Sequence, residues 1–412
     1  MEKRLSDKNA ITGEMADLKE ALLNEIKQGI LPFWINYSID KEHGGFYGRV
    51  DNAGNALPEA PKGLILNTRI LWSFSAIYSA IDDADCLKMA GRALNYLREY
   101  FFDRESGGLY WMLDFKGNPL ECKKKVYGHA FLIYSLAEYY KITGNGSVLG
   151  LAVDIFNIIE NKFFDRENGG YFETTGRDWS VTYDMRLSDI DLNEKKSMNA
   201  HLHILEAYSA LMLVWPDVHL KKQLTALLEN FLEHIIDYET GHFRMFFNEL
   251  WEIKSRDISL GHDIEGSWLL WEAAFILNNP VITEKVKKAV IRQADSVYQK
   301  GLNPDGSLIY EIRGDESLNR ERHWWAQAEA MVGFLNVYQL TEDIKYYDAM
   351  TNAWDYIRAN LIDKENGEWF YKRDEDNLIA EDEYKISEWK GPYHNTRACL
   401  ELVRRLALCS ES

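Results

Sequence analysis

Six stretches of the chain keep apolar residues on nearly every side of a helix. They are LNTRILWSFSAIYSA from Leu66, VYGHAFLIYSLAEYYKITG from Val126, NAHLHILEAYSALMLVW from Asn199, GHDIEGSWLLWEAAFIL from Gly261, HWWAQAEAMVGFLNVYQL from His323 and YHNTRACLELVRRLAL from Tyr393. A helix apolar all round is a buried helix. The segments between them, such as CLKMAGRALNYLREYF from Cys86 and IKYYDAMTNAWDYIRANLI from Ile344, keep one charged face and read as an outer layer. The first outer helix is expected from Met15 to Phe33.

A turn phrase follows each outer segment. It reads IDKEHGGFYGRV at Ile39, FDRESGGLYW at Phe102 and FDRENGGYFE at Phe164. Weaker copies are IDYETGHFRMFF at Ile236, NPDGSLIYE at Asn303 and IDKENGEWFYKRD at Ile362. Their aspartates, Asp40, Asp103, Asp165, Asp237, Asp305 and Asp363, are 63, 62, 72, 68 and 58 residues apart. Asp and Gly supply side-chain-to-backbone bonding and positive φ, and the aromatic alternation that follows reads as a short strand. Six helix–helix–phrase units at a near-constant period predict a repeat architecture. We expect an all-α (α/α)6 barrel, with six inner and six outer helices and short β-hairpin loops at one end. An open solenoid is the alternative, disfavoured because no polar capping repeat is visible. No Pro-, Ser- or Gly-rich linker divides the chain, so residues 1–412 are expected to form one domain.

Composition narrows the function. There are 65 acidic and 47 basic residues, a formal charge of -18, which opposes nucleic acid and anionic membrane as partners. No run of about 18 apolar residues predicts a membrane span, and the N-terminus lacks the apolar core of a signal peptide. Cys86, Cys122, Cys399 and Cys409 form no C-x-x-C pair and are read as free thiols. The expected location is cytoplasmic. Thirteen Trp and 23 Tyr suit sugar rings, though they equally fill a large core.

Polar residues gather at the starts of the apolar helices: Arg69; Tyr127 and His129; Asn199, His201 and His203; His262 and Glu265; His323, Trp324, Trp325 and Glu329; Trp389 and His394. If the inner helices run the same way, Arg69, Tyr127, His203, His262, Trp325 and His394 meet at one mouth. A single His there is ordinarily a cap or a satisfied polar group, but four His-bearing helices in phase point to a site. His201 and His203 are two apart, so only one is expected to face the cavity. Asn199 and His203 share a face, and the spacing of His262 and Glu265 allows a pair that orients the imidazole. His43, His219, His234 and His242 fall in turns or outer segments and are expected at the surface.

The H-x-H at His201 is a ligand spacing, but no H-E-x-x-H or carboxylate cluster accompanies it, so no metal is expected. Nucleotide-binding and serine-hydrolase motifs are absent from the sequence. Several His with one Arg suit proton abstraction next to a carbonyl, with Arg69 stabilising the enediolate. Glycoside hydrolysis needs two carboxylates across the bond; Glu265, Glu329, Asp189, Asp191 and Asp263 leave it open, as does a non-catalytic sugar-binding barrel.

SMNAHLHILEAY, GHDIEGSWLLWEA, RHWWAQAEAMVGF, EWKGPYHNTRACLE, APKGLILNTRILW and the GGFYGRV phrase resemble the cellobiose 2-epimerases of the N-acylglucosamine 2-epimerase superfamily, over about residues 20–405. The resemblance implies an (α/α)6 barrel and a cofactor-free isomerase. It further implies conversion of the reducing-end glucose of a β-1,4-linked disaccharide to mannose, as in cellobiose or lactose, through ring opening and a cis-enediol. Carried over, His262 and His394 are the acid–base pair, His203 assists ring opening, Arg69 holds the enediolate and Glu265 orients His262. Trp325 and Trp389 would stack on the sugars, with Tyr127, Asn199 and Glu329 as polar binding partners. Ala326 stands where some relatives have Pro. A monosaccharide aldose–ketose isomerase or an N-acylglucosamine 2-epimerase on the same barrel is the nearest alternative.

Overall fold

The computed structural model describes residues 8–410, with side chains placed from 13 to 407. Its helices, in chain order, are α1 (Lys8–Asn24), α2 (Leu31–Tyr37), α3 (Leu64–Ile81), α4 (Ala84–Tyr96), α5 (Val126–Thr143), α6 (Gly146–Lys162) and α7 (Met198–Val214). They continue as α8 (Val218–Asn230), α9 (Leu260–Leu277), α10 (Pro280–Lys300), α11 (Trp324–Thr341), α12 (Ile344–Asn360) and α13 (Tyr393–Ser410). The first outer helix is longer than expected. α1 and α2 are joined by a π-helical turn at Glu25–Ile30 and run from Lys8 to Tyr37, not from Met15 to Phe33.

The odd-numbered helices from α3 to α13 form the inner ring. Each packs on the next, and α13 packs on both α11 and α3, so the ring is closed and the open solenoid is ruled out. The even-numbered helices from α4 to α12 pack outside the inner helix that precedes them, and α1 covers α13. Local chemistry sets this hairpin. α3, α5, α9 and α11 end on a left-handed residue, Asp82, Gly144, Asn278 and Glu342. Then α4, α6, α8, α10 and α12 each start on an Asp or Asn whose side chain accepts backbone N–H groups of the first turn. α4 buries Cys86, Met89, Ala90, Ala93 and Leu94 at helical spacing and leaves its charges outside. Among the described residues one helix, Leu64–Ile81, is long and apolar enough to cross a membrane; it is α3, mostly buried inside the ring.

The turn phrases sit where the inner helices begin. The aspartate accepts the N–H groups two and three residues ahead, as in Asp165 with Glu167 and Asn168. A second interaction was not legible in sequence: a buried lysine in the segment that leads to the inner helix reaches the same aspartate. Lys62, Lys124, Lys196 and Lys385 lie 2.7, 2.8, 2.8 and 2.6 Å from Asp40, Asp103, Asp165 and Asp363. In the fifth unit Asn303, not Asp305, takes the aspartate's place: Asn303 N–H bonds Ser307 O, as Asp363 N–H bonds Glu368 O.

The expected hairpin loops are present as two- and three-residue strands and single bridges. The strand before each of α3, α5, α7, α9 and α11 pairs antiparallel with the strand that follows the next turn phrase, for example Lys196–Ser197 with Phe246–Phe247. A bridge between Val50 and Ile386 joins the first unit to the last. The rim of the mouth is thereby continuous. Cys86, Cys122 and Cys399 are free thiols, and the side chain of Cys409 lies outside the described residues.

Candidate active site

Position along the inner helices decides what each polar residue does. The fourth residue of α5, α7, α9 and α11 is His129, His201, Asp263 and Gln327. All four accept a backbone N–H from a turn phrase, that of Leu109, Tyr171, Phe243 and Leu308 respectively. His129 and His201 also donate Nδ1–H to a carbonyl, of Lys125 and Ser197, so both imidazoles are used up in holding loops. Burial holds each of them down to about 4. Two residues further on, about 200° round the helix, the sixth position faces the barrel axis. It carries Arg69 on α3, His203 on α7, Glu265 on α9 and Glu329 on α11. That is why His201 packs and His203 reaches the cavity.

Asp263 clamps a second group. His242 Nδ1 lies 2.7 Å from its other oxygen. His242 is therefore buried, against the surface position expected for it, because its turn phrase is folded onto α9 rather than into solvent. Asp263, one of the acids that left hydrolysis open, is itself buried within α9.

One pocket of about 180 Å³ gathers Arg69, Tyr127, Asn199, His203, His262, Glu265, Trp325, Trp389 and His394. Glu329 is the one expected site residue that does not line it. Fully buried behind His394, it accepts from Trp268 Nε1 at 3.0 Å and binds His394 Nδ1 at 2.7 Å. Its bonded partners are the His394 imidazole, Trp268 and Arg397. The pocket opens into a cavity of about 620 Å³ that shares Asn199, His262, Tyr310 and His323 with it. Tyr310 and His323 stack there, ring centres 3.8 Å apart.

Each imidazole has its own support. His203 Nδ1 lies 2.9 Å from Glu206 Oε2, and its ring packs against Tyr127 and Phe131. His262 Nδ1 lies 2.7 Å from Ser259 Oγ. Glu265 does not orient His262, as the spacing suggested it would; its Oε1 is bonded to Arg397 and its Oε2 has no partner. Trp325 touches both His262 and His394, with ring centres 4.8 and 5.7 Å away. Arg69 is locked by the Trp389 carbonyl and the Tyr127 hydroxyl and lies over the Phe131 and Tyr393 rings. Trp389 leans on Trp111 and Tyr127. Asn199 Oδ1 is buried without a partner.

Burial dominates the electrostatics. It carries His262 down to about 3, helped by the nearby His203. His394 is pushed well below its usual range by burial and by Arg69 and Arg397, and His203 is lowered by burial against the pull of Glu206. All three imidazoles are neutral at neutral pH and ready to accept a proton. Burial pushes the Glu206 carboxyl up, but Arg397 and His203 outweigh it and bring it to about 2. Glu265 is raised to about 8 by burial and by Glu329.

Sequence reading missed Arg397, Glu206, Ser259 and Tyr310. Glu206 and Arg397 had a usable signal: each lies three residues beyond a site histidine on the same helix. Glu265, Glu329 and His394 bring three metal-ligating atoms within 4.8 Å of one another. The Arg397 guanidinium already lies on both carboxylates, 2.5 and 2.7 Å from their oxygens, and supplies the positive charge they need.

A family model, N-acylglucosamine 2-epimerase, matches residues 45–398. The cellobiose 2-epimerase of Bacteroides fragilis is 41% identical over 387 residues, 94% of this chain and 98% of its own. That of Dictyoglomus turgidum is 37% identical, over 94% and 99%. The structure of cellobiose 2-epimerase from Bacillus thermoamylovorans superimposes with a TM-score of 0.91 at 39% identity, covering 95% of this chain and 100% of that one. The family model and these relatives make the chain a sugar isomerase, and it belongs to the N-acylglucosamine 2-epimerase family. Within that family the protein is an epimerase, and its barrel is the (α/α)6 type of the solved relatives.

Proposed function

We propose that the protein inverts C2 of the reducing-end glucose of a β-1,4-linked disaccharide, turning cellobiose into glucosyl-mannose and lactose into epilactose, without a cofactor. The observation that carries this reading is the meeting of three neutral imidazoles, two of them backed by carboxylates, with one fixed guanidinium in a single aromatic pocket. The names of the relatives support the disaccharide class. So does the larger adjoining cavity, which leaves room for a second ring beyond the pocket.

The steps follow from the groups present. His203 assists opening of the reducing-end ring, which exposes the C1 aldehyde. A neutral His394 takes the proton from C2, and the imidazolium that forms is stabilised by Glu329. The C2–H electrons become the C1=C2 bond, and the carbonyl electrons move onto O1, where Arg69 stabilises the charge. Return of a proton to the opposite face of C2 by the His262/His394 pair completes the inversion. The step is redox-neutral, so it calls on no electron carrier. Trp325 and Trp389 stack on the sugars, while Tyr127 and Asn199 bond hydroxyls. The whole barrel acts as one catalytic domain in the cytoplasm.

Product analysis after incubation with cellobiose and a chelator tests this. Intact glucosyl-mannose is the expected product. Free glucose would assign a hydrolase, an unchanged sugar would assign a binding protein, and loss of activity restored by added metal would overturn the cofactor-free reading.

A further inference from the structure

Arg397 lines none of the pocket's surface, yet everything behind that surface converges on it. It is buried on α13. One terminal nitrogen bonds Glu206 and the Tyr393 hydroxyl, and the other bonds Glu265 at 2.5 Å and Glu329 at 2.7 Å. Glu206 in turn holds His203 Nδ1, and Glu329 holds His394 Nδ1. Three carboxylates from three helices, two of them attached to site imidazoles, therefore share one cation.

We propose that Arg397 is a positioning residue for the proton transfer. By bonding Glu206, Glu265 and Glu329 together, it keeps the Nδ1–H of His203 and His394 turned away from the pocket and leaves both Nε2 lone pairs facing it. This rests on the epimerase reading above. The reasoning is electrostatic. Three like charges this close and this buried do not all ionise without a counter-charge. With Arg397 present, the proton that must be taken up goes to Glu265, which holds no imidazole. Glu206 is held low, and Glu329, though burial raises it, is drawn back by the Arg397 and Trp268 N–H groups that bond it, so both act as acceptors toward Nδ1. Without it, Glu206 or Glu329 takes a proton and becomes a donor to Nδ1. The imidazole then switches tautomer, presents Nε2–H to the sugar and ceases to be a base. Lysine can supply the charge but not the planar fork that reaches three carboxylates, so it restores only part of the function.

Histidine 15N NMR at neutral pH tests this directly on the wild-type enzyme, with signals assigned through His203→Asn and His394→Asn. Both rings are expected as Nδ1–H tautomers. Arg397→Gln is expected to lower kcat by about 10²-fold, the size of an acid–base contribution, with KM changed by less than about threefold because Arg397 touches no substrate. Its His203 or His394 signals should move to the Nε2–H form, and Arg397→Lys should recover part of kcat. Wild-type rings in the Nε2–H form overturn the proposal whether or not a variant folds. So does a folded Arg397→Gln enzyme with unchanged tautomers and kcat. A wild-type protein that leaves cellobiose unchanged would overturn the epimerase reading instead, while the tautomers would still report on the network.

Discussion

His394 Nδ1 and Glu329 Oε1, on neighbouring inner helices and 65 residues apart in sequence, lie 2.7 Å from each other with both side chains buried. The carboxylate accepts the ring's Nδ1–H, which fixes the tautomer and stabilises the imidazolium formed when the ring takes a proton. His394→Asn should therefore lower kcat for epimerisation by at least about 10²-fold. Glu329→Gln, which leaves the ring in place but offers a donor as well as an acceptor, should lose between about 10-fold and the 10⁴-fold that a wrong tautomer costs in a hydrolase triad. Steady-state kinetics on cellobiose check both, and near-normal turnover of Glu329→Gln would remove the carboxylate from the mechanism.

The barrel was legible in sequence because its signals repeat. Six apolar helices and six turn phrases at one period predict the ring, and their common phase brings Arg69, His203, His262 and His394 into one pocket. What escaped was whatever depends on the third dimension. The His262–Glu265 spacing permits a pair, but Arg397 competes for the carboxylate and wins because it bears a full charge in a buried setting. Ser259, one residue before α9, then holds His262 instead. Glu329 sits on the axis-facing side, as its position implied, yet His394 lies between it and the pocket. His242 reads as a turn residue, and its burial appears only once the turn is folded onto Asp263.

The turn phrases depend on glycine where a loop meets a clamp. Gly170 has φ +75°, and a Cβ there would lie 2.4 Å from Trp251 and 2.7 Å from His201 Nε2. Gly170→Ala combines backbone strain with a steric clash in a packed setting. It should destabilise the fold by about 2–4 kcal/mol, read as a lower denaturation midpoint with an unchanged slope. A midpoint equal to wild type would show that the loop can yield.

Lys196 and Asp165 form a buried pair 2.8 Å apart that ties the third turn phrase to the start of α7. Lys196→Met leaves Asp165 facing a place with no cation and should cost about 3–5 kcal/mol. The double substitution Lys196→Met with Asp165→Leu should recover part of that loss, because no buried charge is then stranded. Chemical denaturation of the two variants checks this. A double variant less stable than the single one would contradict it.

Two sets of buried groups pull stability in opposite directions with pH. His129 and His201, held down to about 4, bind protons in the unfolded chain first, so they make stability fall as pH drops from about 6.5 to about 4. Glu173, raised to about 7 by burial, keeps its proton in the folded state after the unfolded chain has lost it near 4.5. It therefore makes stability fall as pH rises from about 4.5 to about 7. Glu173→Gln removes the second effect alone. Its Tm should climb more steeply than that of wild type between about pH 5 and 7, as calorimetry would show, and parallel Tm curves would contradict the assignment.

The most direct measurement of the proton transfer at C2 is solvent isotope incorporation, followed by NMR while cellobiose turns over in D₂O. The wild-type enzyme is expected to place deuterium at C2 of the reducing-end sugar in an intact disaccharide, and His394→Asn to slow that incorporation and epimerisation together. Glucosyl-mannose formed with no solvent deuterium at C2 in the wild type, or incorporation that proceeds unslowed in His394→Asn, would contradict imidazole-mediated exchange at this pocket.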